Sequence, residues 1–257
     1  MLGLLPELEV IRKDFPILER VLAGGQPLVY LDSANTSQKP QIVIDTMVDH
    51  LEHHNANISR AMHQLGAEST EAFEGARDKV TAFIGAPSRD EVIFTKNASE
   101  ALNLVARVLG DAGRVREGTD VVISEMEHHS NIVPWQLLTE RTGADLRWFG
   151  ITDDGRLDLD RLDELVTERT AVVSLTWVSN MLGTINPLDA VIRRAHEVGA
   201  LVVVDASQAV PQLPVDVAAL GADLVAFTGR CLVHRPGVPR PGGTARAPGY
   251  PEVGFGS

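Results

Sequence analysis

Polar side chains follow several apolar runs of this sequence at the points where those runs end. Asp205 comes directly after four apolar residues in "LVVVDASQA", and Gln208 stands three positions further along. A carboxylate at the end of a buried strand needs a cation or hydrogen-bond donors to offset its lost hydration. Asp205 is therefore a candidate to bind a cationic group. The alternative is that Asp205 caps the next helix.

A possible anion site lies earlier in the chain, in "VIFTKNASEALNLVARVLG". Ala98 and Ser99 stand between a predicted strand and a segment with the apolar spacing of a helix. Backbone N–H groups at the start of a helix, with a hydroxyl beside them, suit a phosphate. The alternative is that Ser99 serves as the N-cap of that helix.

Two more apolar runs end in polar residues. His128 and His129 follow "DVVISE", and Ser179 and Asn180 follow "LTWV". Adjacent histidines point in different directions, so one can face a ligand while the other packs or is solvated. We expect these strand ends to converge on one crevice that binds an anion and an aromatic cofactor.

A cluster of histidines offers a competing interpretation as a metal site: His50, His53, His54 and His63. His50 and His54 have the i, i+4 spacing that places two ligands on one face of a helix. No carboxylate pattern supports a metal, so a solvated helix face is favoured and no metal is predicted.

The elements that must position these residues alternate along the chain. Residues 71–86 have a helical period and residues 191–199 read as a crossover helix. Buried strands separated by helices predict an α/β fold, a mostly parallel sheet with helices on both faces and ligands at the strand carboxyl ends. The predicted strands are 91–95, 120–125, 170–178 and 200–206, with a further one in "DLVAFTG".

Composition restricts the class of partner. The chain of 257 residues has a formal net charge of −12, which disfavours nucleic acid and membrane surfaces as partners. A single cysteine excludes an internal disulfide framework and is ordinary for a cytoplasmic protein. The first 20 residues read as a short amphipathic helix rather than a signal peptide, and no run reaches the length of a membrane span.

The composition changes after Gly229. Residues 230–257 contain 6 glycines and 5 prolines and no sustained apolar period, so we expect this tail to be disordered. The predicted organisation is an N-terminal helical arm over 1–30, a cofactor-binding domain over 31–229 and the tail.

Six ordered motifs give the sequence a close resemblance to the SUF-type cysteine desulfurases, fold-type I pyridoxal-phosphate enzymes of the class V aminotransferase superfamily. The resemblance implies a large domain of that fold, incomplete here and without the small C-terminal domain. The motifs are "YLDSANTSQKP", "RAMHQLGAESTEAFEGAR", "FTKNASEALNLVA", "EMEHHSNIVPWQ", "VSNMLGTINP" and "VVVDASQAVPQLPVDV".

The resemblance also implies a role for each matching residue. Asp205 would pair with the ring nitrogen of pyridoxal 5′-phosphate, His128 would stack on the ring, and Gln208 would hydrogen-bond its phenolic oxygen. The phosphate would be held by Ala98, Ser99 and Thr228, and the bound amino acid would lie near Asn180, Ala34 and Asn35.

The match breaks after "FTG". The family continues there with His-Lys, whose lysine forms the Schiff base with the cofactor, whereas this chain has Arg230-Cys231. No catalytic residue is then intact, because Cys231 cannot form that bond and stands in the lysine's place. A shifted reading of codons for Arg-Cys-Leu-Val-His can give Lys-Met-Leu-Gly-Pro, so we interpret the break as a truncation or frameshift after Gly229.

The resemblance implies conversion of L-cysteine to L-alanine with transfer of the sulfur to an enzyme-bound persulfide for iron–sulfur cluster assembly. It also implies a homodimer and a SUF sulfur-acceptor protein as partners. We expect this chain to be inactive by itself and to bind the cofactor noncovalently at best. Two alternatives are a related pyridoxal-phosphate enzyme such as a selenocysteine lyase, and a non-catalytic fragment of the same fold.

Overall fold

A computed structural model describes residues 6–60, 62–229 and 255–256 of the chain. Its residues form two compact units, Met1–Asp78 and Lys79–Ser257. This division does not fall at the predicted boundary of the N-terminal arm, residue 30, and the assignment of functions to segments stays a prediction.

The first unit is helical. Helix α1 spans Pro6–Lys13 and ends in two basic residues, which suit the negative end of the helix dipole. It confirms the short amphipathic helix predicted at the start of the chain. Helix α2 spans Gln41–Asp49 and passes into a π-helical turn at His50–His54.

Helix α3 spans Gln64–Ile84 and includes most of the segment predicted as helical from its period, 71–86. Helix α3 ends immediately before Gly85, which has a left-handed φ of +70°. Glycine commonly occupies such a left-handed position at the end of a helix.

The second unit is built on a parallel sheet with the strand order β1-β7-β6-β5-β4-β2-β3. Every paired strand in it is parallel. The strands are β1 (Phe94–Thr95), β2 (Asp120–Ser124), β3 (Asp145–Phe149), β4 (Thr170–Thr176), β5 (Leu201–Asp205), β6 (Leu224–Thr228) and β7 (Phe255–Gly256).

The helices of this unit cover both faces of the sheet, as predicted. Along β5, Val203 packs in one core with α4 and α5, whereas Val202 and Val204 pack in the other core with α7. This alternation follows from the two-residue period of a strand. The helices are α4 (Ala98–Asp111), α5 (Val133–Thr142), α6 (Leu162–Leu165), α7 (Leu188–Glu197) and α8 (Val217–Leu220).

The α/β class and the strands β2, β4, β5 and β6 are confirmed, but two details differ. Strand β1 is shorter than predicted because Arg89–Glu91 form a 3-10 turn whose N-cap is Ser88. Strand β3 was not predicted, since it lies at the edge of the sheet and only Phe149 of its five residues is fully buried.

The tail predicted to be disordered, 230–257, lies outside the described residues except for Phe255–Gly256. These two residues form the short strand β7 between β1 and β6. Among the helices that the structure describes, none is long and apolar enough to cross a membrane.

Candidate functional site

The sheet splits between β2 and β4. From β2 the chain continues to the edge strand β3, whereas from β4 it continues in the other direction to β5. The pairing of β2 with β4 ends at Val122 and Val173, although the strands run on to Ser124 and Thr176. Crevices at such a switch of direction, outside the carboxyl ends of the strands, are where open parallel sheets bind ligands.

One wall of this crevice carries hydroxyl and imidazole groups. Ser99 Oγ lies 2.6 Å from Ser130 Oγ, and His128 Nδ1 lies 3.0 Å from the same Ser130 oxygen. The backbone N–H of Ser130 also donates to His128 Nδ1, at 3.1 Å. The structure therefore brings together Ser99 and His128, which the sequence predicted separately, and adds Ser130.

Helix α4 begins beside this group. Its N-cap is Asn97, whose side chain accepts a hydrogen bond from Glu100 N at 2.8 Å. The alternative interpretation of Ser99 as the N-cap is therefore wrong, and the Ser99 hydroxyl faces Ser130 instead. Within the described residues the backbone N–H groups of Ala98 and Ser99 have no acceptor. These groups and the helix dipole favour an anion.

Asp205 lies at the end of β5, next to β4. It is 4% exposed, is paired in register with Thr176 of β4, and accepts a hydrogen bond from Ser207 N at 3.0 Å. It does not cap a helix, which excludes the alternative stated above, since the segment after it is a series of turns. Burial raises the pKa of Asp205, and the nearby charge of His128 opposes that rise.

Glu127 is a buried carboxyl that sequence reasoning missed. Its Oε1 accepts hydrogen bonds from Ser124 Oγ at 2.5 Å and Thr176 N at 2.9 Å, and its Oε2 accepts one from Asn131 Nδ2 at 2.7 Å. The Asn131 amide oxygen in turn accepts from Trp135 Nε1 at 3.0 Å and from a hydroxyl of β4, Ser174 Oγ, at 2.6 Å. This network joins β2, β4 and α5 at the split in the sheet.

Glu127 holds a proton at neutral pH. Burial raises the pKa of Glu127 to about 8, and the charge of Asp205 adds to that rise against the three hydrogen bonds that lower it. The indole N–H of Trp135 can only donate, so it fixes the Asn131 amide oxygen toward itself and the Asn131 Nδ2 group toward Glu127. The backbone N–H of Thr176 is also a donor, so both groups point hydrogens at the carboxyl.

The remaining predicted residues of this unit lie at neighbouring strand ends. Gln208 is half-buried in the turn after β5 and accepts a hydrogen bond from Gln212 at 3.2 Å. Thr228 is half-buried at the last position of β6. Asn180 is half-buried in the turn after β4, where Ser179 Oγ accepts from Leu182 N at 3.2 Å.

Three predicted residues remain untested by this geometry. Ala34 and Asn35 belong to the first unit, where Asn35 Nδ2 donates to Asp32 Oδ1 at 2.8 Å. Their closeness to a bound amino acid stays a prediction. Cys231 lies outside the described residues.

Three of the four histidines considered as metal ligands have protein partners. His53 Nδ1 lies 3.1 Å from Asp49 Oδ1, and His54 Nδ1 lies 2.9 Å from Glu68 Oε2. His63 Nδ1 accepts from Gly66 N at 3.1 Å in the first turn of α3. Within the part of the chain that is described, no group of three or more His, Cys, Asp or Glu side chains is arranged to hold a metal.

The described residues form an α/β protein in which the start of α4 and the buried carboxyl of Asp205 lie at carboxyl ends of parallel strands, beside a switch of strand direction. Comparison with known proteins agrees. A family model described as "Aminotransferase class-V" matches residues 29–238. The chain belongs to this aminotransferase class V family.

Similar proteins carry a more specific name. A probable cysteine desulfurase from Streptomyces coelicolor is 62% identical, over 92% of this chain and 57% of its own length. A cysteine desulfurase from Dickeya dadantii is 49% identical, over 89% of this chain and 55% of its own length.

Solved structures agree with these relatives. A cysteine desulfurase from Thermococcus onnurineus has a TM-score of 0.79 and 35% identity, over 90% of this chain and 55% of its own. The Escherichia coli cysteine desulfurase CsdA has a TM-score of 0.77 and 30% identity, over 89% of this chain and 55% of its own. The chain spans little more than half the length of the proteins it matches.

Proposed function

We propose that this chain carries the cofactor-binding part of a cysteine desulfurase and that its crevice binds pyridoxal 5′-phosphate. The observation that carries the proposal is the placement of Asp205 and the Ser99–Ser130–His128 group at the same switch of strand direction. Every relative and structure named above is a cysteine desulfurase by name, which supports this activity over others of the class V family.

The residues of the crevice fit a phosphorylated pyridine. The ion pairs among the described residues do not include Asp205, whose buried carboxylate would be matched by a protonated ring nitrogen. The phosphate would lie at the start of α4, on the N–H groups of Ala98 and Ser99 and their hydroxyl neighbours, with Thr228 beside them. His128 is exposed and can stack on a ring, and Gln208 would reach the phenolic oxygen.

When bound, pyridoxal phosphate supplies an electron sink for reactions at the α-carbon of an amino acid. The chain's own contribution is to bind and orient that group. The carboxyl of Asp205 would pair with the ring nitrogen and favour its protonated form, whereas Glu127, whose pKa burial raises to about 8, would add no second negative charge beside it. Asn180, Ala34 and Asn35 are proposed to lie near the substrate L-cysteine.

The proposed overall reaction of the family converts L-cysteine to L-alanine and leaves the sulfur as a persulfide on the enzyme, for iron–sulfur cluster assembly. We propose a cytoplasmic homodimer that passes sulfur to a SUF acceptor protein. Because Cys231 stands where the resemblance places the lysine, we propose that this chain binds the cofactor without a covalent bond and is inactive unaided.

Calorimetric titration with pyridoxal 5′-phosphate and with pyridoxal tests the anion site. The phosphorylated ligand should bind more tightly, and Ser99→Ala should weaken its binding by about tenfold, the typical value of a hydrogen bond to a charged group. Pyridoxal should bind Ser99→Ala and the unaltered chain equally. Equal binding of both ligands to the unaltered chain would overturn the assignment of the phosphate site.

Borohydride reduction followed by mass spectrometry tests the position of Cys231. The unaltered chain should gain no cofactor mass at the peptide that contains this residue, whereas Cys231→Lys should gain one cofactor there. A cofactor adduct at that peptide in the unaltered chain, or none in Cys231→Lys when that variant binds the ligand, would contradict the proposal.

A further inference from the structure

Glu127 spans the gap that opens between β2 and β4. Beyond Val122 and Val173 these strands no longer pair, so the backbone N–H of Thr176 has no partner on β2. Glu127 Oε1 accepts this hydrogen bond at 2.9 Å and at the same time contacts Ser124 Oγ on β2. The carboxyl of Glu127 thus takes the place of the β2 acceptor that Thr176 N would have if the two strands still paired.

The same side chain holds the segment that carries His128. Its Oε2 binds Asn131 Nδ2 at 2.7 Å, and Asn131 is fully buried and held to β4 through Ser174. His128 and Ser130 lie between Glu127 and Asn131 in the sequence, and His128 Nδ1 is 3.0 Å from Ser130 Oγ. The exposed part of the turn is therefore fixed at both ends by a buried network.

The network also reaches the other wall of the crevice. Thr176, which donates its N–H to Glu127, is the register partner of Asp205 on β5, and Trp177 N donates to Asp205 O at 2.9 Å. The charge of Asp205 acts on Glu127. Ser174 Oγ of β4 and Trp135 Nε1 of α5 contact Asn131 instead, and so act on Glu127 through Asn131.

We propose that Glu127 is a positioning residue that fixes His128 relative to Asp205 across the split between β2 and β4. This inference rests on the proposed function, since these are the groups assigned to the face and the nitrogen of the cofactor ring. Glu127 is buried and would act through its contacts with the backbone of β4 and with Asn131 in the turn at 128–131.

Substitution of Glu127 tests the proposal in the full chain. Glu127→Ala removes all three hydrogen bonds. Glu127→Gln cannot accept at both positions, because Asn131 and Thr176 both point donors at it, but its amide oxygen can keep the bond to Thr176 N. Glu140→Gln, the same chemical change on the exposed face of α5, is the matched control.

The ligand is 4′-deoxypyridoxine 5′-phosphate, a phosphorylated pyridine that cannot condense with a lysine. Affinity is measured by calorimetry under conditions where circular dichroism shows each variant folded. We expect Glu127→Ala to bind at least about tenfold more weakly, Glu127→Gln to lie between it and the unaltered chain, and Glu140→Gln to bind normally. Unchanged affinity in Glu127→Ala would overturn the proposal, because a purely structural role changes the folded fraction and not the affinity of folded protein.

Hydrogen exchange without ligand separates this proposal from the proposed function. The amide of Thr176 should lose protection in Glu127→Ala and keep it in Glu127→Gln. If the unaltered chain fails to bind the phosphorylated pyridine, the proposed function is wrong. The exchange rate of the Thr176 amide still shows whether Glu127 links β4 to the end of β2. Full protection of that amide in Glu127→Ala would overturn the positioning role in either case.

Discussion

Replacing Glu127 with glutamine should change how the free energy of unfolding depends on pH. In the folded chain this carboxyl has a pKa of about 8, whereas its ordinary value is 4.5. Between these two values the folded state holds a proton that the unfolded state has released. Stability therefore falls as pH rises through this window, and the fall levels off above pH 8.

The magnitude follows from the size of the shift. One pKa unit corresponds to about 1.4 kcal/mol, so the full window between 4.5 and about 8 corresponds to about 5 kcal/mol. Between pH 6 and pH 8 the loss is about 2 kcal/mol, a substantial part of the 5–15 kcal/mol that stabilises a typical domain. Glutamine cannot lose this proton, so Glu127→Gln should lack that part of the slope.

Urea unfolding at several pH values between about 6 and 8 measures the slope. The quantity compared is the difference in unfolding free energy between the unaltered chain and Glu127→Gln, with Glu140→Gln as a control that should follow the unaltered chain. Parallel pH profiles for the unaltered chain and Glu127→Gln would refute the conclusion that Glu127 is protonated in the fold.

Three further substitutions, one of them with a matched control, test the packing that supports the site. Gly110→Ala should destabilise the chain by about 1–3 kcal/mol in urea unfolding, because the new Cβ would overlap the buried Leu138 of α5, whereas Gly75→Ala in α3, with nothing within 4 Å, should be neutral or stabilising. Equal effects would show that α4 and α5 are not in close contact at this glycine. Asn97→Ala should cost about 1 kcal/mol through loss of the cap of α4, and an unchanged unfolding midpoint would contradict that cap. Trp135→Phe should cost about 1–3 kcal/mol, because it leaves the Asn131 oxygen one donor short in the core, and a neutral effect would argue against that bond.

Local patterns were sufficient to predict much of the fold and one side of the site. The apolar run before Asp205 indicated a buried strand, and its position at the strand end placed the carboxylate at the ligand edge of a parallel sheet. Strand β3 was not predicted because it is an edge strand with exposed and half-buried residues, and so it lacks the continuous run of apolar residues of a central strand.

The Glu127 network could not be predicted from local pattern because it depends on two contacts with β4, which is far away in the sequence. Thr176 and Ser174 lie 49 and 43 residues from the groups that they contact, Glu127 and Asn131. Two signals were nevertheless available: polar residues inside the apolar run of β4, and the i, i+4 spacing of Asn131 and Trp135. Helix capping was also ambiguous locally, since asparagine and serine both cap helices and both stand in "NAS".

The central claim is that the switch-point crevice binds a phosphorylated pyridine through Asp205. Its most direct test is calorimetric titration of the unaltered chain, Asp205→Asn and Asp153→Asn with 4′-deoxypyridoxine 5′-phosphate. Asp153 is exposed, so its substitution controls for the loss of one negative charge from the chain. We predict binding at one site per chain, unchanged in Asp153→Asn and weakened by about tenfold to a hundredfold in Asp205→Asn. No binding to the unaltered chain, or equal binding to Asp205→Asn, would contradict the claim.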